Sequence, residues 1–136
     1  MNKIEKFIHL NYEELIEDCF GQWIGFWYGD ANFTLEETKE VFFQTLKKLL
    51  DDDLVVLFPP YTMFNTKISR WDKTKTTIKY GQTIWGLPND KIIEYIKSVF
   101  PKDIKDENDL KLTNFWYSED CPQIGWIDQE TGKISG

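Results

Sequence analysis

The sequence predicts an α+β fold, with two N-terminal helices and one later helix packed on a mostly antiparallel sheet. Two observations support this prediction. Apolar residues recur at helical spacing over residues 12–27 and 35–50, whereas the pattern from Tyr61 to Trp85 is rich in β-branched and aromatic residues. The predicted strands mostly follow one another and do not alternate regularly with helices, which is typical of α+β architecture. At 136 residues the chain fits a single domain, 1–136.

The first helix is predicted to begin at Asn11, because Asn11 can cap a helix and Glu14 completes a capping box. Its apolar stripe comprises Tyr12, Leu15, Ile16, Cys19, Trp23, Phe26 and Trp27. Gly21 and Gly25 lie four residues apart on one face, where another backbone could approach closely. The helix is expected to end at residues 29–32.

A second capping box, formed by Thr34 and Glu37, opens the second helix. Its early acids and late lysines suit the helix dipole. The helix ends at Asp51–Asp53, where the dipole disfavours negative charge. Either water or a basic partner must therefore solvate these three carboxylates.

The remaining elements are mostly strands. A continuous apolar run at 54–58, ended by two prolines, predicts a buried strand. Residues 76–80 and 82–85 are predicted to be strands because they are rich in β-branched and aromatic side chains. Pro88 introduces a third helix that continues to about Val99. The last predicted strands are 110–117, 124–128 and a short closing strand at 133–134.

Charge is unevenly distributed along the chain, whose net charge is −7. Residues 1–60 carry 12 acidic and 5 basic side chains, 61–100 carry 3 and 7, and 101–136 carry 8 and 4. A sequence pI near 4.7 argues against nucleic acid as the main partner, since phosphate contacts need a basic field. The acidic balance favours a basic protein partner, or simply solubility.

The six tryptophans are many for this length. Most must be core residues, and we expect this of Trp23, Trp116 and Trp126. Trp27, Tyr28 and Trp71 are candidates for contact with a partner.

The bases between 67 and 79 interleave with aromatic residues, which superficially matches a nucleic-acid stacking strip. A hairpin would instead place these lysines on its solvent face. An intramolecular role opposite the acidic helices is the other alternative.

The sequence predicts neither catalytic residues nor a metal site nor a cofactor. Cys19 is expected to be an inert buried thiol, and Cys121, before Pro122 in a polar loop, is expected to be exposed. The consecutive aspartates and the acidic loop 103–109 lack the spacing and glycine of a calcium loop. No apolar run is long enough to span a membrane, and the charged start lacks signal-peptide features, so we expect a cytoplasmic protein.

Several segments resemble a small bacterial family of unknown function: 20–30, 35–38, 54–60, 84–88 and 125–128. Members of such families often sit in polymorphic-toxin loci of Gram-negative bacteria, where small acidic cytosolic proteins serve as immunity proteins. The resemblance implies an inhibitor that binds one secreted toxin domain, and it brings no catalytic residues.

The leading hypothesis is a non-enzymatic binding protein, an immunity protein that blocks a basic toxin domain by electrostatically steered association. The predicted partner-binding residues are Glu36, Glu37, Glu40, Asp51, Asp52 and Asp53, with Trp27 and Tyr28 as anchors. One alternative is a small hydrolase or ligand-binding enzyme that uses carboxylates. The other is a homodimeric structural protein that pairs through the Gly21/Gly25 face or an edge strand.

Overall fold

The computed structural model describes residues 2–17, 24–25, 32–106 and 109–135, and its elements confirm the α+β class. The helices are α1 (Lys3–Glu17), α2 (Leu35–Asp51), α3 (Asn89–Val99) and α4 (Leu110–Trp116). The strands are β1 (Val55–Leu57), β2 (Phe64–Asn65), β3 (Arg70–Trp71), β4 (Thr76–Lys79), β5 (Gln82–Trp85), β6 (Ile124–Ile127) and β7 (Ile134–Ser135). A 3₁₀ turn at Tyr61–Met63 precedes β2.

Helix α1 begins at Lys3, so the predicted start at Asn11 is wrong. Asn2 and Glu5 have the same spacing as Asn11 and Glu14, and the earlier pair starts the helix: Asn2 Oδ1 accepts from the Glu5 backbone N–H at 2.8 Å. Asn11 is buried inside the helix. Residues 24 and 25, in the later part of the predicted helix, form a turn, so the helix prediction is wrong there, although Ile24 is buried. The rest of that part, including Cys19 and Gly21, lies outside the described residues.

Helix α2 follows its prediction closely. The Thr34 hydroxyl oxygen accepts from the Glu37 backbone N–H at 3.1 Å, and Glu37 Oε1 accepts from the Thr34 backbone N–H at 2.9 Å. This is the reciprocal capping box, which satisfies two backbone donors at the start of the helix. The buried residues of α2 recur at helical spacing: Thr38, Val41, Phe42, Phe43, Thr45, Leu46, Leu49 and Leu50.

Every strand pair in the described residues is antiparallel. Strand β6 pairs with β1 on one side and β7 on the other, which confirms the predicted closing strand. Strands β4 and β5 form the predicted hairpin, and Tyr80 and Gly81 connect them with φ values of 49° and 77°. Two consecutive positive φ values match the right-handed twist of a hairpin. Strands β2 and β3 form a second, smaller hairpin.

Residues 110–117 form helix α4 and a turn, so the predicted strand there is wrong. Asp109 caps the helix, because its carboxylate accepts from the Lys111 backbone N–H at 2.9 Å. The buried residues are Leu112, Phe115 and Trp116, which is helical spacing, whereas Leu110 is 73% exposed. Alternation in a strand would have placed Leu110 and Leu112 on the same face.

The aromatic content builds the core beneath α2. The ring centroid of Phe42 lies 5.3 Å from that of Trp116 and 6.4 Å from that of Phe100. The ring centroids of Phe100 and Phe115 are 5.4 Å apart. Trp116 and Trp126 are buried, as predicted. Trp23, predicted as a third core tryptophan, lies outside the described residues.

Candidate partner-binding cleft

A cleft of about 610 Å³ opens between α2 and the end of α3. The two helices run antiparallel, since Asn89 at the start of α3 bonds to Asp51 at the end of α2. Helix α2 contributes Glu36, Glu37, Lys39, Glu40, Phe43, Gln44 and Lys47 to the lining, and the opposite side contributes Ile93, Lys97, Phe100, Pro101 and Lys102. Three of the predicted partner-binding residues therefore share one cleft.

The floor of this cleft is aromatic and its walls are charged. Phe43 and Phe100 pack edge to face at 5.3 Å. Lys97 Nζ lies 5.5 Å from the Phe43 ring centroid, and Lys39 Nζ lies 5.5 Å from that of Phe100. The lysines thus lie across the rings in cation–π geometry. An occupant of the cleft would meet acids on α2 and bases on both helices.

The three glutamates of the cleft differ in their attachments. Glu37 belongs to the capping box and also pairs with Lys3 Nζ at 2.9 Å. The backbone N–H of Thr34 and the Lys3 ammonium hold the pKa of the Glu37 carboxyl below its usual range. Glu36 pairs only with its neighbour Lys39, at 3.5 Å in the exposed first turn. Within the described part of the chain, Glu40 forms no salt bridge, so Glu36 and Glu40 are the carboxylates most available to a partner.

Asp51, Asp52 and Asp53 lie at the other end of α2, away from this cleft, and each has an intramolecular partner. Asp51 accepts from Lys47 Nζ at 2.6 Å and from Asn89 Nδ2 at 3.0 Å, which ties α2 to the start of α3. These two bonds lower the pKa of the Asp51 carboxyl, and the bond from Lys47 has the larger effect.

The next two aspartates reach other elements. Asp52 accepts from the Tyr12 hydroxyl at 2.6 Å and lies 4.0 Å from Lys48 Nζ. Asp53, with a φ of 61°, lies 3.5 Å from Lys79 Nζ on β4. The three consecutive carboxylates therefore bind α3, α1 and the β4–β5 hairpin in turn. We call Asp51–Asp53 the aspartate junction.

Trp27 and Tyr28, predicted as anchors, lie outside the described residues. The structure instead brings Tyr61, Phe64 and Trp71 together at the surface, around the β2–β3 hairpin. Of these three, Trp71 was predicted from the sequence as a contact residue. Tyr61 directly follows Pro59 and Pro60, and Phe64 comes three residues later, so the aromatic spacing is visible in the sequence.

The bases of this region divide into two groups. Lys67, Arg70, Lys73 and Lys75 are exposed, as expected for the solvent face of a hairpin. Lys79 instead has an intramolecular role, which was the other alternative for these bases: it contacts Asp53, just beyond the end of α2.

Cys121 is buried, contrary to the prediction that it is exposed. Pro122 beside it is also buried, and the Cys121 thiol donates to the Pro122 carbonyl oxygen at 3.4 Å. Burial raises the pKa of the Cys121 thiol to about 12, so the group is protonated near neutral pH and is a poor nucleophile.

Among the described residues, no group of three or more His, Cys, Asp and Glu side chains is placed to hold a metal ion. In the same part of the chain, the helices fall short of the length and apolar character that a membrane span requires.

The fold resembles that of an uncharacterised protein conserved in bacteria, from Neisseria meningitidis. The TM-score is 0.58 with 18% sequence identity, over 95% of this chain and 91% of that one. This likeness shows a shared fold. No family model matches the chain, and no curated protein matches it.

Proposed function

We propose that this chain is a non-enzymatic binding protein, an immunity protein of the bacterial cytoplasm that binds and blocks a toxin domain. The observation that supports the proposal most is the α2–α3 cleft, in which Glu36 and Glu40 stand beside an aromatic floor. Phe43 and Phe100 are only 6% and 4% exposed, so they form the apolar base of the cleft and do not project from it. An apolar centre with a polar rim is the usual composition of a protein-binding site.

The net charge of −7 supports a basic partner. Long-range attraction raises association rates, and many toxins of polymorphic loci are basic nucleases. The aspartate junction enters this proposal only through that overall field, because its carboxylates already bind groups of the same chain.

The test is growth rescue. The product of the gene beside this one would be expressed in a bacterial host, alone and together with the intact chain. We expect the neighbouring product to arrest growth, the intact chain to restore it, and the two proteins to co-elute as one complex. Growth arrest that persists beside well-expressed intact chain would contradict the proposal.

A matched pair of variants locates the contact. Glu36→Gln with Glu40→Lys changes the cleft, whereas Glu119→Gln with Glu130→Lys makes the same charge change elsewhere on the exposed surface. We expect the cleft variant to lose rescue and to associate at least about tenfold more slowly at low salt. Equal rescue by both variants would remove the cleft from the interface.

A further inference from the structure

We propose that residues 61–75, here called the aromatic hairpin, form a second docking surface that takes an acidic segment of a partner protein. The segment would carry several carboxylates around one apolar side chain. This surface is separate from the α2–α3 cleft, and the proposal does not depend on the immunity function.

Three aromatic rings form a cluster at this surface, apart from the buried core. Tyr61 and Phe64 stack at 5.7 Å, and Phe64 and Trp71 meet edge to face at 5.0 Å. Phe64 and Trp71 are opposite each other in the β2–β3 ladder, which fixes their rings. Tyr61 is 52% exposed. Rings held in this way offer apolar contact area at a low cost in conformational entropy.

The aromatic hairpin also contains an open cleft of about 690 Å³. Met63, Phe64, Ile68 and Trp71 give its lining an apolar part. Ile68 is 62% exposed, although it is a large aliphatic side chain beside these rings. A cleft of this size accommodates an apolar side chain of a docked segment. The docked segment would cover Ile68 and so bury apolar surface that is now in water.

The charged side chains at this cleft are mostly basic: Arg70, Lys73 and Lys75 line it together with one acid, Asp72, and Lys67 belongs to the same aromatic hairpin. In the described ranges, Lys67, Arg70, Lys73 and Lys75 form no salt bridge, whereas each lysine of α2 has an acidic partner.

Asp72 is the one acidic residue between positions 61 and 75. Its carboxylate accepts from the Thr74 hydroxyl at 2.6 Å and from the Thr74 backbone N–H at 3.0 Å. Both bonds end on one carboxylate oxygen, Oδ1, and they lower the pKa of the Asp72 carboxyl. The bases that line the cleft, Arg70, Lys73 and Lys75, outnumber this single acid, and carboxylates of a partner would complement them.

A protein segment fits this surface better than a nucleic acid does. Nucleic-acid binding depends on a basic field that follows many phosphates, and the molecule as a whole carries −7. Exposed Ile68 offers aliphatic contact, which an apolar side chain uses and a phosphate backbone does not.

The experiment measures fluorescence anisotropy with the full chain and two labelled probes of equal charge. One probe is a short peptide of Glu and Asp around a central Leu, and the other is a thymidine oligonucleotide. The test variant is Arg70→Glu with Lys73→Glu, and the control is Lys105→Glu with Lys111→Glu, which makes the same charge change on exposed residues elsewhere. Ile68→Ser tests the apolar contact.

We expect the intact chain to bind the peptide more tightly than the oligonucleotide, and more weakly as salt rises. The hairpin variant should raise the Kd for the peptide by about tenfold or more, the control by less than about twofold, and Ile68→Ser by a few-fold at any salt concentration. Three results would overturn the proposal: no binding of the peptide, tighter binding of the oligonucleotide, or equal losses in the test and control variants.

Discussion

The Tyr12 hydroxyl donates to Asp52 Oδ2 over 2.6 Å and joins the middle of α1 to the end of α2. Lys48 Nζ lies 4.4 Å from the Tyr12 ring centroid and 4.0 Å from the same carboxylate oxygen. Burial, the hydrogen bond and the negative charge of Asp52 together raise the pKa of Tyr12 to about 12. The phenol therefore holds its proton in the folded state at a pH where the unfolded chain has released it.

This contact predicts a specific loss of stability in alkali. Between the usual pKa of 10.0 and the folded value of about 12, the folded state binds more protons than the unfolded state. The contribution of Tyr12 to stability is therefore complete below pH 10 and declines as the pH rises through that range.

Tyr12→Phe tests the contact. We expect this variant to lose about 1 kcal/mol of unfolding free energy at neutral pH, because it lacks the hydrogen bond. Between about pH 10 and pH 12 the gap to the intact chain should narrow. Urea unfolding across this range is the measurement, with Tyr80→Phe, at a side chain that is 58% exposed, as the control. A gap of constant size would show that the Tyr12 proton is not coupled to folding.

At the scale of elements, helix α4 depends on burial of one narrow face. It has only seven residues, and an isolated helix of that length is unstable in water. The Asp109 cap and the packing of Leu112, Phe115 and Trp116 into the core stabilise it.

Leu110 and Leu112 form a matched pair that tests this arrangement. Leu112→Ala should cost about 2–5 kcal/mol of unfolding free energy, since it leaves a cavity at a position that is 1% exposed. Leu110→Ala should change stability by less than about 0.5 kcal/mol, since the side chain is in solvent. Chemical denaturation of both variants decides the matter. Similar losses would indicate a strand, in which the two leucines share a face.

The elements that sequence analysis predicted correctly have strong local signals. The capping box of α2, the apolar run of β1 and the β-branched pair β4–β5 act through neighbouring residues, so the sequence contains the information directly. The predictions for α1 and α4 were wrong where two local patterns competed. Asn2 and Asn11 offer the same cap spacing, and residues 110–117 satisfy both strand alternation and helical spacing over so short a range. Burial of Leu112, Phe115 and Trp116 decided the case of α4. Residues 3–10 of α1 include no buried residue, so its early start depends on the local Asn2 cap.

The candidate site was predictable in part. Glu36 and Glu40 follow from helical periodicity, which places both on the outer face of α2. Their opposite wall comes from residues more than fifty positions later, and no local pattern links the two. The partners of the aspartate junction were hidden for the same reason, because Tyr12, Lys79 and Asn89 are distant in sequence.

Across the whole molecule, the density of charge along the sequence does not show which charged residues are available to a partner. The acids with the greatest local density, Asp51–Asp53, bind three other elements of the chain. Four exposed bases, Lys67, Arg70, Lys73 and Lys75, lie on the aromatic hairpin, and the exposed acids Glu36 and Glu40 lie in the α2–α3 cleft. These are the two surfaces that we propose as contacts for partners, whereas the aspartate junction links α2 to α1, α3 and β4.

The most direct test of this account compares the unfolding free energies of two charge-matched variants in urea. The first is Asp51→Asn with Asp52→Asn and Asp53→Asn, in which Asn tolerates the positive φ at position 53. The second neutralises three exposed acids instead: Glu36→Gln, Glu40→Gln and Glu130→Gln. We predict that the junction variant is less stable than the second by about 1–2 kcal/mol, because its hydrogen bonds to α1 and α3 are weakened and its ion pair with Lys79 on β4 is lost. Equal stability of the two variants would contradict the structural role of the junction and return Asp51–Asp53 to the partner-binding surface.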